Sequence, residues 1–203
     1  MEIKQLNTQH TQQFCDLIID MYSHLQNLEW FTPMPYDFES VKTMIEKPRF
    51  FIIGVFDKEK LCAVSSLDYK CGKLIEKIDL PLDCNLENTV EIAFNIVHSD
   101  YQGNGLMKTM VNYLLEKTKK DNFKYVMSKA HKDNLASCKS LLKNKFEQYS
   151  TYKKEVDIND FISLANQPFF SKIGKENAKA TLSNYSKNDK NIIVDYNIYL
   201  KSL

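Results

Sequence analysis

The run 90-VEIAFNIV-97, the turn 98-HSDYQGNG-105 and the stripe that starts at Leu106 constrain this chain more than any other stretch. The first is a strand by its apolar alternation. From 106 to about 119 the pattern L-M-x-x-M-V-x-x-L-L is an amphipathic helix. A strand that turns directly into a helix must lay that helix back on its own sheet. Gly103 and Gly105 stand where the helix begins, so the turn either merely joins two elements or cradles an anion at the helix start.

The remaining chain extends this pattern. The segment 2-EIKQL-6 alternates as a strand, and Thr8 or Thr11 caps a helix whose stripe is Phe14, Leu17, Ile18, Met21, Tyr22 and Leu25. Two prolines bar regular helix from 30-WFTPMPY-36, and 38-FESVKTMIE-46 is a short helix ending before Pro48. A hairpin joins 50-FFIIGVFD-57 to 61-LCAVSSLDY-69 through DKEK. Residues 70–88, with Gly72 and Pro81, are irregular; 123-FKYVMSKA-130 is a strand; and 134–144 is a helix with Ala136, Leu141 and Leu142 on its apolar side. The last strands are 146-FEQYSTYKKEV-156 and 191-NIIVDYNIYLK-201, with short helices expected between them around 161–165 and 176–185. The order β-α-α-β-β-β-α-β-α-β-(insert)-β mixes hairpins with crossover helices. It predicts an α/β (α+β) fold with a mixed sheet of about seven strands, in one domain over 1–203 with an insert at about 157–190.

Composition narrows the partners. Basic and acidic residues number 27 and 26, so there is no global basic field to attract nucleic acid. The longest apolar runs, such as 50-FFIIGVF-56, are strand-sized, which excludes a membrane span. MEIKQLNTQH has no basic-then-apolar signal pattern, so the expected location is cytoplasmic. Five cysteines without a CxxC pair make neither a metal site nor a disulfide framework, and no metal is expected. Arg49 is the sole arginine among many lysines, which reads as the composition bias of an AT-rich bacterium.

Three phosphate motifs compete for 102-QGNGLM-107. A Walker loop needs lysine after its second glycine, where Leu106 stands. A dinucleotide fingerprint needs a third glycine where Lys108 stands, and HSDY is too polar and long for its tight turn. The acyl-CoA pyrophosphate turn, Q/R-x-x-G-x-G/A, is matched by Gln102 and Gly105, with Met107 in place of the small last residue. Such a turn works through successive backbone N–H groups at a helix start, which form an anion nest.

Gln102 follows Val97 by five residues, and the whole stretch 90-VEIAFNIVHSDYQGNGLMKTMVNYLL-115 resembles the Gcn5-related N-acetyltransferase (GNAT) superfamily. A second segment, 131-HKDNLASCKSLLKNKF-146, resembles that family's second cofactor segment, with Asn134, Ser137 and Lys145-Phe146 at its positions. The resemblance implies a mostly antiparallel sheet with helices on both faces and its fourth and fifth strands splayed. It implies acetyl-CoA as cosubstrate, held by Ile96, Val97, Gln102, Gly103, Asn104, Gly105, Leu106, Met107, Asn134 and Ser137. It also places the acceptor pocket at 28-LEWFTPMPY-36. Leu141 stands where the family often has the tyrosine that protonates the departing thiolate, and Lys145 replaces the usual glycine.

Acyl transfer to an amine needs a neutral nitrogen, donors for the developing oxyanion and a proton for the thiolate. Glu91 matches the family's catalytic glutamate in its distance from Gln102, and alternation puts Glu91, Ala93 and Asn95 on one face, so Glu91 and Asn95 are expected to share a polar cleft. Glu91 is thus either the general base or a solvent-facing strand carboxylate. His98 and His131 are alternative bases or plain strand-end histidines, and Tyr149 and Tyr152 are stand-in acids. Trp30 and Phe31 either pack an acceptor or staple a proline-rich loop, and Glu29 attracts a cation. The sequence therefore predicts an acetyl-CoA-dependent N-acetyltransferase acting on a primary amine of a small molecule or peptide. The alternative is a non-catalytic acyl-CoA-binding relative that serves as a sensor or partner-binding module. A homodimer through the alternating last strand is also expected.

Overall fold

The computed structural model describes all of residues 1–203 except 72, 73, 79, 82 and 186–188. Gly72 of the expected irregular loop therefore lies outside the described residues. The strands are β1 (Glu2–Gln5), β2 (Phe50–Asp57), β3 (Lys60–Asp68), β4 (Thr89–Val97), β5 (Tyr125–His131), β6 (Glu147–Asp157) and β7 (Asn191–Ser202). The helices are α1 (Thr11–His24), α2 (Phe38–Glu46), α3 (Leu106–Lys120), α4 (Leu135–Lys143), α5 (Ile158–Ala165) and α6 (Lys172–Leu182). No described helix is long and apolar enough to cross a membrane.

The strands form one seven-stranded sheet in the order β1-β2-β3-β4-β5-β7-β6, and among the described residues only β4 and β5 pair in parallel. Two large cores cover its faces, and a smaller one packs Cys71 and Leu74 against Met127 and Ile198. On one, Phe14, Leu17 and Ile18 of α1 and Val41 of α2 pack with Phe161 of α5 and Ala178 of α6. On the other, Met110, Val111 and Leu114 of α3 pack with Leu141 of α4 over Val90, Ile92 and Val126.

The stripe of α1 is inward as the sequence predicts, but its cap differs. Asn7 accepts from Gln9 N and starts a 3-10 turn over Thr8–His10, and Thr11 Oγ1 instead donates to Thr8 O. In α4 the inward residues are Cys138 and Leu141, whereas Ala136 is exposed and Leu142 half-exposed. The helix is short and lies on the sheet along a single narrow line, so only one residue per turn is covered.

The irregularity that shapes the site lies in β4. Its register with β3 runs Asn95 to Ser65 and Phe94 to Ser66, then skips to Ile92 opposite Leu67, which leaves Ala93 as a bulge. Pairing with β5 covers only Thr89–Ile92 against Tyr125–Ser128. From Ala93 onward β4 therefore leaves β5, and the two strands splay.

The last strand is an interior one. β6 pairs along 191–200 of β7 and β5 along 196–202, so the expected dimer contact through this strand is replaced by intrachain pairing. β1 and β6 are the sheet's outer strands.

The segment between β6 and β7 packs α5 and α6 against α1. At Gly174 in α6 the approach is close: a Cβ there would lie 2.6 Å from the Ser23 carbonyl oxygen and 3.0 Å from the Phe170 ring. Ser171 Oγ donates to that same carbonyl at 2.8 Å, which holds the contact in place. We expect Gly174→Ala to destabilise the fold by roughly 1–3 kcal/mol in chemical denaturation, because backbone has to move to admit the methyl group. The neighbouring exposed Lys175→Ala should stay within about 0.5 kcal/mol of the parent.

Candidate active site

A cavity of about 900 Å³ passes through the splay and is lined from both faces of the sheet. Gln102, Gly103, Gly105, Leu106, Met107, Asn134, Ser137 and Leu141 line it on the side of α3 and α4. Met21, Trp30, Phe31, Thr32 and Met34 line it on the side of α1. Ile96 and Val97 border it from the part of β4 that has left β5.

The turn is built by backbone conformation. Gly103 and Gly105 have φ of +80° and +75°, a left-handed region costly for other residues. A Cβ on either would meet nothing within 4 Å, so the space in front of the turn is open. α3 starts at Gly105 without a side-chain cap, which leaves its first-turn N–H groups for an outside acceptor. Asn104 is exposed, donates to Tyr101 O at 3.3 Å and does not line the cavity. Asn134 caps α4 by accepting from Ser137 N at 3.1 Å.

The bulge overturns the expected shared face of Glu91 and Asn95. One extra residue between them reverses the alternation. Asn95 faces the α3 side, where it accepts from Ser65 Oγ at 2.7 Å, and Glu91 faces the α1 side with Phe94 and Ile96. Both still border the cavity, because the splay opens it to both faces.

Glu91 is not a solvent-facing carboxylate: it is 1% exposed, and Lys129 Nζ of β5 donates to its Oε1. Its Oε2 is buried without a hydrogen-bond partner among the described residues. The opposing residue on β3 is Asp68, which receives a two-pronged bond from Arg49 Nε at 2.7 Å and Nη2 at 2.5 Å. Two ion pairs thus stand side by side under the splay. Burial works against the Lys129 charge, but the Glu91 carboxylate outweighs it and holds the ammonium above the ordinary lysine range. Lys154 of β6 also lines the cavity, and there burial, reinforced by the Lys129 charge, pushes its pKa down.

The other expected residues are dispersed. Trp30 and Phe31 line the cavity, and Trp30 Nε1 is buried without a partner among the described residues. Glu29 does not line it: Tyr185 Oη donates to its Oε1 at 2.8 Å, and His131 Nε2 lies 3.5 Å from its Oε2. His131 Nδ1 accepts from Asp133 N, so Nε2 carries the proton that faces Glu29. His98 caps the 3-10 turn at Ser99–Tyr101 by accepting from Asp100 N, outside the cavity lining. Tyr149 is 46% exposed, and Tyr152 packs in the core; neither lines the cavity. Among the described residues two phenols do: Tyr101, whose Oη donates to Asp57 Oδ2 at 3.1 Å, and Tyr196 of β7, whose Oη shares a hydrogen bond with Thr32 Oγ1 at 2.9 Å and whose pKa is raised by burial.

Arg49, Asp68, Lys129, Lys154 and Tyr196 escaped the sequence reading. Two signals were present: Arg49 is the sole arginine, and Lys154 alternates in phase with the inward Tyr152 and Val156. Among the described residues no group of His, Cys, Asp and Glu is arranged to hold a metal ion, and all five cysteines are free.

The model of the acetyltransferase (GNAT) family matches residues 12–146. No curated protein matches the chain. Solved structures do. A ribosomal-protein-alanine N-acetyltransferase from Brucella melitensis is 14% identical, covers 100% of each chain and superposes with a TM-score of 0.65. A protein from Salmonella typhimurium, determined with its cofactor acetyl-CoA, is 12% identical over 100% of this chain and 94% of its own, with a TM-score of 0.64. An N-acetyltransferase from Staphylococcus aureus Mu50 is 11% identical over 99% and 97%, with a TM-score of 0.63. At such identities the likeness is one of fold.

The Glu29 cluster has a consequence for pH. Its bond to His131, aided by Tyr185 and opposed by burial, lowers the Glu29 pKa below the ordinary 4.5. A depressed carboxylate pKa contributes stability above the unfolded value, and that contribution fades as pH falls through the folded one. Calorimetric melting of Glu29→Gln should therefore show a Tm deficit at pH 7 that shrinks steadily below about pH 4.5. A deficit that persists unchanged at pH 3.5 would remove the carboxylate's charge as its cause.

Proposed function

This chain belongs to the acetyltransferase (GNAT) family, and from that premise we propose that it is an N-acetyltransferase moving an acetyl group from acetyl-CoA to a primary amine by direct attack in a ternary complex. One observation carries the proposal: the open glycine turn at the start of α3 and the buried Glu91 border a single cavity. The residues fit the cosubstrate. The space in front of Gly103 and Gly105 is open, the uncapped N–H groups at the start of α3 suit a pyrophosphate, and Gln102, Asn134 and Ser137 line the same cavity. The backbone of β4 from Ala93 to Val97 lacks a β5 partner, so its polar groups are available to an extended amide-bearing arm.

Acetyl-CoA bound there supplies an activated acyl carbon and a thiolate leaving group. The chain's part is to place the amine and move its protons. Glu91 Oε1 is held by Lys129, which leaves Oε2 to accept an N–H of the acceptor and to take its proton directly or through water. Backbone N–H groups near Ile96 and Val97 are suited to the developing oxyanion. Leu141, 1% exposed, cannot donate a proton, so it supports the second reading, an acyl-CoA-binding relative without catalysis. Tyr196, in the same core as Phe94 and Ile96, is a cavity phenol that carries a proton at neutral pH.

Two measurements test the proposal. Gly105→Asp should weaken acetyl-CoA binding sharply in calorimetry, since it adds strain and negative charge at the nest; unchanged affinity moves the phosphate site elsewhere. Glu91→Gln should lower kcat by about 10²-fold or more with acetyl-CoA affinity intact. It also leaves Lys129 buried and unpaired, so the neutral double variant Glu91→Gln/Lys129→Met is its partner. The double variant should regain stability without regaining rate. A single variant of normal rate would shift the base to an ordered water or another group. Binding of acetyl-CoA without thiol release on any amine would favour the second reading.

A further inference from the structure

We propose that the acceptor amine also bears a carboxylate and that Lys154 holds it. The proposal deepens the reading above and rests on it in one respect, that the acceptor nitrogen lies at Glu91.

The cations that line the cavity are Arg49, Lys129 and Lys154; of the carboxylates that line it, Asp68 and Glu91 are buried and Asp133 is exposed. Arg49 is engaged by Asp68 and Lys129 by Glu91, whereas the Lys154 ammonium has neither an ion pair nor a hydrogen bond among the described residues. Its position makes this costly. Tyr152, Lys154 and Val156 face inward on β6 while Lys153 and Glu155 face out, so residue 154 occupies a place where the alternation calls for an apolar side chain. A half-buried ammonium without a partner is destabilising unless an anion meets it. Burial and the neighbouring Lys129 push its pKa down, and the attractions of Glu91 and Asp160 do not offset them.

A second unmet group points the same way. Glu91 borders the same cavity, and its Oε2 is buried and lacks a hydrogen-bond partner among the described residues. An unmatched acceptor and an unmatched cation in one cavity describe a ligand with an N–H group at one end and an anion at the other. A ligand bearing both satisfies both, and each new contact is charge-assisted. Trp30, Phe31, Met34 and Phe50 line the same cavity and suit a hydrophobic side chain on the same molecule. The chemical class is therefore an amino acid or a small amino-carboxylate.

Trp30 is the sole tryptophan and lines the cavity, so its fluorescence reports occupancy without turnover. Glycine, methionine and phenylalanine would each be titrated, alongside their carboxamides, into the protein saturated with CoA, for the parent, Lys154→Met and Lys154→Arg. Comparing variants within a pair cancels the differing basicity of the two amines. The parent should bind at least one carboxylate about tenfold more tightly than its carboxamide. That ratio should fall towards one in Lys154→Met and return in Lys154→Arg, with calorimetric CoA affinity confirming that each variant is folded. Equal affinities in the parent, a preference that survives Lys154→Met, or no binding by any pair overturns the proposal. Thiol release measured on the same pairs separates the two readings. Preference without turnover upholds the carboxylate site and sinks the N-acetyltransferase reading. Turnover without preference does the reverse.

Discussion

The single extra residue at Ala93 is the constraint on which the rest depends. A regular β4 would pair with β5 along its whole length, close the sheet and leave no passage between its faces. The bulge both bends the strand and reverses its alternation. Three results follow from one residue: the cavity opens, unpaired backbone lines it, and Glu91 turns towards the α1 face while Asn95 turns towards α3. A site that needs one ligand from each face of a sheet can be built only where the sheet is interrupted in this way.

The ion pairs beneath the splay are not there for stability. Removing two charges from water costs several kcal/mol per ion, and apolar residues of the same size commonly replace such pairs without loss. Their arrangement makes sense electrostatically. Arg49 stands on Asp68 and Lys129 on Glu91, so each of two adjacent buried carboxylates has a cation beside it. Glu91 Oε2 and the Lys154 ammonium are then the groups beside these pairs that have no partner among the described residues.

The sequence carried the elements well and their faces less well. The strand, turn and helix from Val90 to Lys120 were legible because period, glycine and stripe agree. The face of Glu91 was not, because nothing in VEIAFNIV marks Ala93 as a bulge; that choice is made by pairing with β3, a long-range property. Glu29 shows the same limit. It reads as a free acidic group beside a tryptophan, yet Tyr185, 156 residues away in sequence, and His131 take its two oxygens. The interior position of β7 was equally hidden, since a last strand in sequence is not a last strand in space.

The two sides of the cavity are set by different parts of the chain. The glycine turn and α4 fall within the matched stretch 12–146. The α1-side wall lies within it by number, but its shape is imposed from beyond. Asn177 donates to Leu25 O, Leu28 N donates to Thr181 Oγ1, and Tyr185 holds Glu29. Lys154 and Tyr196, which face the same side, also come after 146. On the reading proposed above, the family match covers the donor side of the cavity, while the α1-side wall combines matched residues such as Trp30 and Glu91 with Lys154 and Tyr196 from beyond it. Change in α5, α6 or β6 can therefore reshape that wall without touching the turn at Gly105.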